Sequence, residues 1–327
     1  MTFEKVLIIR FSSIGDIILT SPIIRCLKKQ KKSIIHFMTK QKYVELINHN
    51  PYIDKVFSIE RFDYNLNNHR YDLVLDLQKN LKSFFLGQFI KEKFQTKYIT
   101  YNKKNIAKWA LVNLKQDYLK NEHIVSRYFY ALQKLNLKND GKGLDYFINP
   151  NLDEKNIPTC FSFKQPFYVW LIGGTYNNKK ISIDQIIGVC SKISEPVLFL
   201  GGDKENKTAK KICKSLDRSN FYNLCGVLNY DQSAYIIEKS SLVLTNDTGF
   251  MHIASSFKKK IISFWGCTKP SLGMYPYKID SKKNIQIIGN SKKIPCSKLG
   301  NKCRKKSTCI KQISVIEILN AIKKIEA

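Results

Sequence analysis

Short apolar runs alternate with amphipathic stretches along this chain, and the cycle runs its course twice. Residues 5–10 read as a buried strand and 17–29 as a helix. Residues 33–38, 55–59 and 72–77 read as further strands, with helical stretches near 41–48, 81–90 and 122–135. Strands too apolar to face water, each followed by a helix, predict a parallel sheet covered on both faces. Between 149 and 166 the pattern breaks at Pro150, Pro158 and Pro166, and this stretch reads as a linker. The cycle then restarts with strands at 167–172, 197–200, 221–224, 242–245 and 261–264. Helices are expected from 182, from about 205, over 231–239, from the turn at 246–249 to about 257, and over 314–325. The expected organisation is an α/β chain of two Rossmann-like doubly wound domains, at 1–150 and 151–313, with a C-terminal helix over 314–327. A chain of 327 residues has room for both.

The apolar run at 6–9 stops at Arg10, so no signal peptide is expected there, and no uncharged apolar run reaches the length of a membrane span. The expected location is the cytoplasm. Net charge is +29, with an excess of +13 in 1–150 and +16 in 151–327, so neither half alone is the basic one. Such a balance arises from biased composition or from attraction to an anionic surface or substrate. Nucleic acid is the weaker option and is not expected as a partner: Lys outnumbers Arg 48 to 7, and there is no Arg-rich reader helix or RNP-type strand. The nine cysteines are scattered and predict no disulfide framework. Cys296, Cys303 and Cys309 are spaced C-x6-C-x5-C without a C-x2-C pair, which predicts a loop of partly buried thiols rather than a zinc site.

Three segments carry candidate chemistry. In Thr245-Asn246-Asp247-Thr248-Gly249-Phe250-Met251-His252 a strand ends, a tight turn follows and a helix begins. First-turn N–H groups and the helix dipole suit a diphosphate, Gly249 permits close approach and Thr248 adds a hydroxyl. Alone, the same residues also describe an Asp- or Thr-capped helix with a core histidine at 252. Gly15-Asp16, after Ser12-Ser13, puts a carboxylate where the first strand gives way to the first helix, as a proton acceptor or as a cap. A single glycine there is not a dinucleotide fingerprint, so a dehydrogenase loses its main support. Gly173-Gly174-Thr175-Tyr176-Asn177-Asn178-Lys179-Lys180 pairs a glycine turn with lysines, without P-loop spacing. Glycines also follow strands at Gly201-Gly202 and Gly266, and ligands of open α/β sheets bind at such strand ends. No Asp-x-Asp motif stands at a strand end, so nothing calls for a metal.

Taken together, these segments resemble glycosyltransferase family 9, the lipopolysaccharide heptosyltransferase family. KVLIIRFSSIGDIILTSPIIRCLKK is similar to the family's opening, and LVLTNDTGFMHIASSFKKKIISFWGCTKP to its nucleotide-sugar signature. DLVLDLQKNLKS, IGGTYNNKKIS and CIKQISVIEILNAI fall in the family's order and spacing. The resemblance implies a GT-B architecture with two domains facing a central cleft, acceptor on the first and nucleotide sugar on the second. It implies inverting transfer by direct displacement, with Asp16 as general base. Donor contacts would fall on Gly174, Thr175, Lys179, Asp203 (with Glu205 competing), Leu228, Asp247, Thr248, Gly249 and His252.

Ser13, Gly15, Lys79 and Lys82, with Arg10, are the candidate acceptor residues. The diphosphate is expected on Thr248 and Gly249, and Asp247 on the sugar or in a cap, since like charges repel. The chain departs from the family pattern at Cys267, where Pro is common, at Ile172-Gly173-Gly174 in place of His-Pro-Gly, and at Ser182, where Pro is usual. These departures bear on donor preference. The implied reaction moves heptose from ADP-heptose onto an anionic lipopolysaccharide core at the cytoplasmic face of the inner membrane, with no cofactor. A UDP- or dTDP-hexose donor, or a non-catalytic relative that binds anionic surfaces, are the alternatives.

Overall fold

The structure, a computed structural model, describes residues 3–62, 70–290, 294–303 and 309–327. The chain forms two compact units, one from Met1–Lys103 and His123–Pro150, the other from Lys104–Glu122 and Asn151–Ala327. The short stretch Lys104–Glu122, drawn from the first half of the sequence, thus packs with the second unit. It places Leu111, on its helix, and Leu119, in the turn that follows, against Leu272.

The first unit holds strands β1 (Lys5–Ile9), β2 (Ile34–Thr39), β3 (Lys55–Ser58), β4 (Leu73–Asp76) and β5 (Lys97–Thr100). They form one sheet in the order β3-β2-β1-β4-β5, every pair parallel. β1 and β4 are almost wholly buried, as expected of central strands covered on both faces. The helix expected over 17–29 is two helices, α1 (Ile14–Ile18) and α2 (Ser21–Lys31). Pro22 in the first turn of α2 has no N–H to offer the preceding turn, so a new helix starts there. The stretch 41–48 forms two single 3-10 turns rather than a helix. α3 (Leu81–Phe94) is capped by Asn80, whose side chain accepts the Ser83 N–H. α4 (Asn105–Asn113) belongs to the second unit and α5 (Ile124–Ala131) to the first.

The second unit carries β6 (Tyr168–Leu171), β7 (Val197–Leu200), β8 (Phe221–Asn223), β9 (Leu242–Asn246), β10 (Lys260–Trp265) and β11 (Asn284–Ile288). Their order is β11-β10-β9-β6-β7-β8, again all parallel. Counted from its own first strand this is the 3-2-1-4-5-6 order of doubly wound nucleotide-binding sheets. The helices are α6 (Ile183–Cys190), α7 (Asp203–Leu216), α8 (Tyr230–Lys239), α9 (Gly249–Ser256) and α10 (Val315–Glu326). Ser182, Asn229 and Ser314 cap α6, α8 and α10 through side-chain oxygens. The core runs from Trp170, Phe199 and Phe264 on the sheet to Ile318, Ile322 and Ile325 on α10, so the terminal helix is part of this unit's packing. No helix among the described residues is long and apolar enough to cross a membrane.

Candidate active site

In the second sheet the strand order reverses between β6 and β9, and the loops leaving these two strands are bound to each other. Asn246, the buried last residue of β9, does this. Its Oδ1 accepts the Ile181 N–H at 3.1 Å, and its Nδ2 donates to Gly173 O at 3.1 Å. The glycine turn after β6 and the Asp247-Thr248-Gly249 turn after β9 are therefore one site. Asp247 Oδ2 receives Lys179 Nζ at 2.5 Å and the Thr268 hydroxyl at 2.9 Å. The Asp247 carboxylate is thus taken by a cation and a hydroxyl.

Thr248 is the N-cap of α9, with extended backbone, and its side chain makes no capping hydrogen bond. Its hydroxyl lies 3.5 Å from that of Thr245. The first turn of α9 therefore presents N–H groups that no capping side chain occupies, next to the lysine brought in by Asp247. His252 is buried on that turn. Gly174 is partly open and Thr175 exposed.

The neighbouring strand end, after β7, separates the two competing acids. Glu205 is occupied: Oε2 accepts the Gly202 N–H at 3.1 Å and Oε1 pairs with Lys180 Nζ at 2.7 Å. Asp203 is exposed on the first turn of α7. Its backbone and carboxylate lie against Gly226, where φ is +78° and an added Cβ would fall 2.5 Å from Asp203 Oδ1. Only glycine fits that position. Leu228, half-buried, follows in the same loop beside the exposed Val227.

The first sheet repeats the arrangement between β1 and β4. Gln78 Oε1 accepts the N–H groups of Phe11 at 3.0 Å and Ser12 at 3.3 Å, joining the two strand ends. Ser13 caps α1, and Asp16 Oδ2 accepts both its N–H at 3.2 Å and its hydroxyl at 2.8 Å. Gly15 is buried in the same turn. Arg10, buried beneath, meets Asp16 Oδ1 at 2.5 Å and donates to the carbonyls of Ser12 and Leu77. Burial opposes the charge on Asp16, but Arg10 and the Ser13 bonds outweigh it and hold the carboxyl below its ordinary value.

Asp76 organises the loop after β4. Oδ1 accepts the N–H groups of Gln78 at 2.9 Å and Lys79 at 2.7 Å, and Oδ2 accepts the hydroxyls of Ser83 and Tyr98. Lys79 has a left-handed backbone, and its ammonium donates to Tyr101 O at 2.8 Å, which ties it into the loop. Lys82 is exposed on the first turn of α3.

These features have relatives. Residues 59–307 match the model of glycosyltransferase family 9 (heptosyltransferase). The chain belongs to this family. It is 26% identical to lipopolysaccharide heptosyltransferase 1 of Campylobacter coli, the match covering 98% of each chain. Among solved structures, the glycosyl transferase family 9 protein of Veillonella parvula superposes with a TM-score of 0.79 at 18% identity, covering 99% of this chain and 98% of that one. The E. coli heptosyltransferase WaaC with ADP gives a TM-score of 0.70 at 17% identity, covering 98% of this chain and 99% of that one. The fold is GT-B, and the protein is a glycosyltransferase.

Sequence reasoning on this family 9 member missed the residues that hold the loops rather than face a ligand. Asn246, Gln78 and Thr268 are polar side chains whose partners lie on other strand ends. The only local signal was the position of Asn246 at the last, buried place of an apolar strand.

Proposed function

We propose that the chain transfers heptose from ADP-heptose onto the core of lipopolysaccharide, at the inner-membrane surface. The observation that carries the reading is the reversal point of the second sheet. There an uncapped helix N-terminus, a glycine turn and Lys179 converge. Together they offer what a departing diphosphate requires: fixed N–H donors and a cation where negative charge grows. The full-length likeness to a lipopolysaccharide heptosyltransferase supports the sugar and the acceptor class.

In this reading the diphosphate lies on the N–H groups at Thr248 and Gly249, beside Gly174 and Thr175. Lys179 moves from Asp247 to the diphosphate or bridges both, which leaves Asp247 to the sugar hydroxyls with His252 beneath. Asp203 takes the ribose, since Glu205 is engaged by Lys180 and Gly202. Leu228 packs on the base. On the first unit, Asp16 accepts the proton of the attacking hydroxyl, whose pKa lies far above 7. Ser13 and Arg10 fix its orientation, and Gly15 leaves room for the acceptor. Displacement is direct, with inversion at the anomeric carbon, and the residues named need no metal for it. Lys82 meets acceptor phosphate or carboxylate groups, and Lys79 shapes the loop beneath them.

Attachment to the membrane surface rests on α3. Leu81, Phe84, Phe85 and Phe89 are exposed there among Lys82, Lys91 and Lys93, on a chain of net charge +29. Apolar side chains interleaved with lysines suit the headgroup layer of an anionic leaflet.

Thermal unfolding with nucleotides tests the donor half. ADP is expected to raise the midpoint and UDP to leave it unchanged. Stabilisation by UDP or dTDP instead would move the assignment to a hexose donor.

A further inference from the structure

Four cysteines converge behind the donor loop. Cys267 leaves the end of β10, and Cys296, Cys303 and Cys309 come from the excursion between β11 and α10. All four sulfurs lie within 4.8 Å of one another, Cys296 and Cys309 at 3.5 Å and Cys303 and Cys309 at 3.9 Å. We propose that Cys267, Cys296, Cys303 and Cys309 bind one tetrahedral transition-metal ion, zinc in the first instance. With Zn–S bonds of about 2.3 Å, a tetrahedral tetrathiolate site separates its sulfurs by about 3.8 Å. The sulfurs here are already near that spacing. A polynuclear iron–sulfur cluster has to hold its thiolates further apart, around several metal atoms.

The backbone is arranged for the same purpose. Cys267 O accepts the N–H of Cys296 at 2.9 Å, and Ser297 Oγ accepts the N–H of Gly300 at 2.9 Å, folding the segment from Cys296 to Cys303 into a tight turn. Gly289 lets the Cys309 carbonyl approach to 2.2 Å from where a Cβ would stand. Three of the four thiols are buried and Cys303 is half-buried, so the site is closed, as structural zinc sites are. Four thiolates around a divalent ion leave two negative charges. Lys298 and Lys302 lie in the same segment and carry positive charge towards that balance. The C-x6-C-x5-C spacing conceals the site because the fourth ligand comes from a different strand end.

The metal has a reason to sit there. Gly300, with φ of +79°, lies so close to Lys179 that an added Cβ would be 2.6 Å from its side chain. Thr268, next to Cys267, holds Asp247. The ion therefore fixes the loop against which Lys179 and Asp247 are set. This consequence rests on the donor-site reading, whereas the metal site does not.

Elemental analysis of the full chain, purified under reducing conditions without added metal, tests the site directly. One equivalent of zinc per chain is expected, or one of iron with thiolate-to-iron colour. It is expected to fall sharply in Cys267→Ser and to stay in Cys160→Ser, an exposed cysteine outside the cluster. Should Cys267→Ser fail to fold, cobalt exchanged into the wild-type chain answers the same question through tetrahedral d–d bands and thiolate charge transfer. Well under one equivalent of metal, with no cobalt–thiolate spectrum on reconstitution, overturns the proposal. A disulfide among these cysteines in the reduced preparation does so too. ADP affinity measured before and after chelation is the second readout. A several-fold loss, restored by zinc, is expected, and an unchanged affinity removes the link to the donor loop while leaving the metal count to stand or fall alone.

Discussion

Asp16 stands between opposed influences. Burial raises the cost of its charge, while Arg10 and the two bonds from Ser13 lower it, and the charged form prevails. A carboxylate held this way is a weak base but is always deprotonated at working pH, and it is fixed in direction. Asp16→Asn is expected to lower kcat by about 100-fold or more, with ADP affinity within a few fold. Turnover close to that of the wild type would remove Asp16 from the base role. Because the folded carboxyl sits below its ordinary value, kcat/KM is expected to stay flat as pH falls from about 8 to about 5. An acid limb inside that window would assign the proton transfer to another group. In the second unit, Lys179→Met strips Asp247 of its cation and leaves a carboxylate held only by the Thr268 hydroxyl, close to where the proposed diphosphate would lie. Titration calorimetry should show ADP binding weakened at least about ten-fold, a loss of about 1.4 kcal/mol. Unchanged affinity would separate Lys179 from the donor.

At the scale of elements, the first unit is closed by a clasp that ties α2 to the segment 140–145. Arg25, 2% exposed on α2, binds Asp140 at 2.8 Å and also holds Asp145 and the Gly143 carbonyl. Arg25→Gln leaves two partly buried carboxylates unpaired and is expected to cost about 3 kcal/mol in urea unfolding. A change under about 0.5 kcal/mol would show the clasp to be no more than a surface pair. Its pH dependence has a definite sign. Hydrogen bonds from Arg25 pull the Asp140 carboxyl down to about 2, below its ordinary 3.8. That part of the stability is complete above the ordinary value and is lost as pH falls through about 2. Burial raises the Asp145 carboxyl despite Arg25, so Asp145 does not share this dependence.

Most elements were legible for one reason: central parallel strands are continuous apolar runs, and residues 5–10, 72–77, 197–200 and 242–245 can be little else. Edge strands carry weaker signals. β5 reads Lys97-Tyr98-Ile99-Thr100 and β11 reads Asn284-Ile285-Gln286-Ile287-Ile288, and in both of these edge strands polar residues interrupt the apolar run. The split between α1 and α2 escaped because apolar periodicity runs through the break that Pro22 makes. The candidate site's turns were legible where glycine stands beside Asp or Lys after a strand. The site was hidden where a side chain such as Asn246, Gln78 or Cys267 acts across strand ends, since nothing local records its partner.

For the whole molecule, the excess of positive charge is spread over both units and meets exposed apolar side chains on α3. The chain should co-sediment with anionic vesicles at low salt, and release as salt shortens the reach of surface charge to about 8–10 Å. Phe85→Asp is expected to weaken this binding several-fold with thermal stability unchanged, since Phe85 is 66% exposed. Binding equally strong to neutral vesicles would contradict an electrostatic attachment. Two Rossmann-like units each gather their loops at the point where the strand order reverses, and the proposed reading puts a proton acceptor on the first and a diphosphate cradle on the second. The direct test is to incubate the chain with ADP-heptose and a heptose-free lipopolysaccharide core, and to follow both products by mass spectrometry. The account predicts one heptose added to the core for each ADP released, and neither product with UDP-hexose. No transfer from ADP-heptose, or transfer from a UDP- or dTDP-sugar in its place, would contradict it.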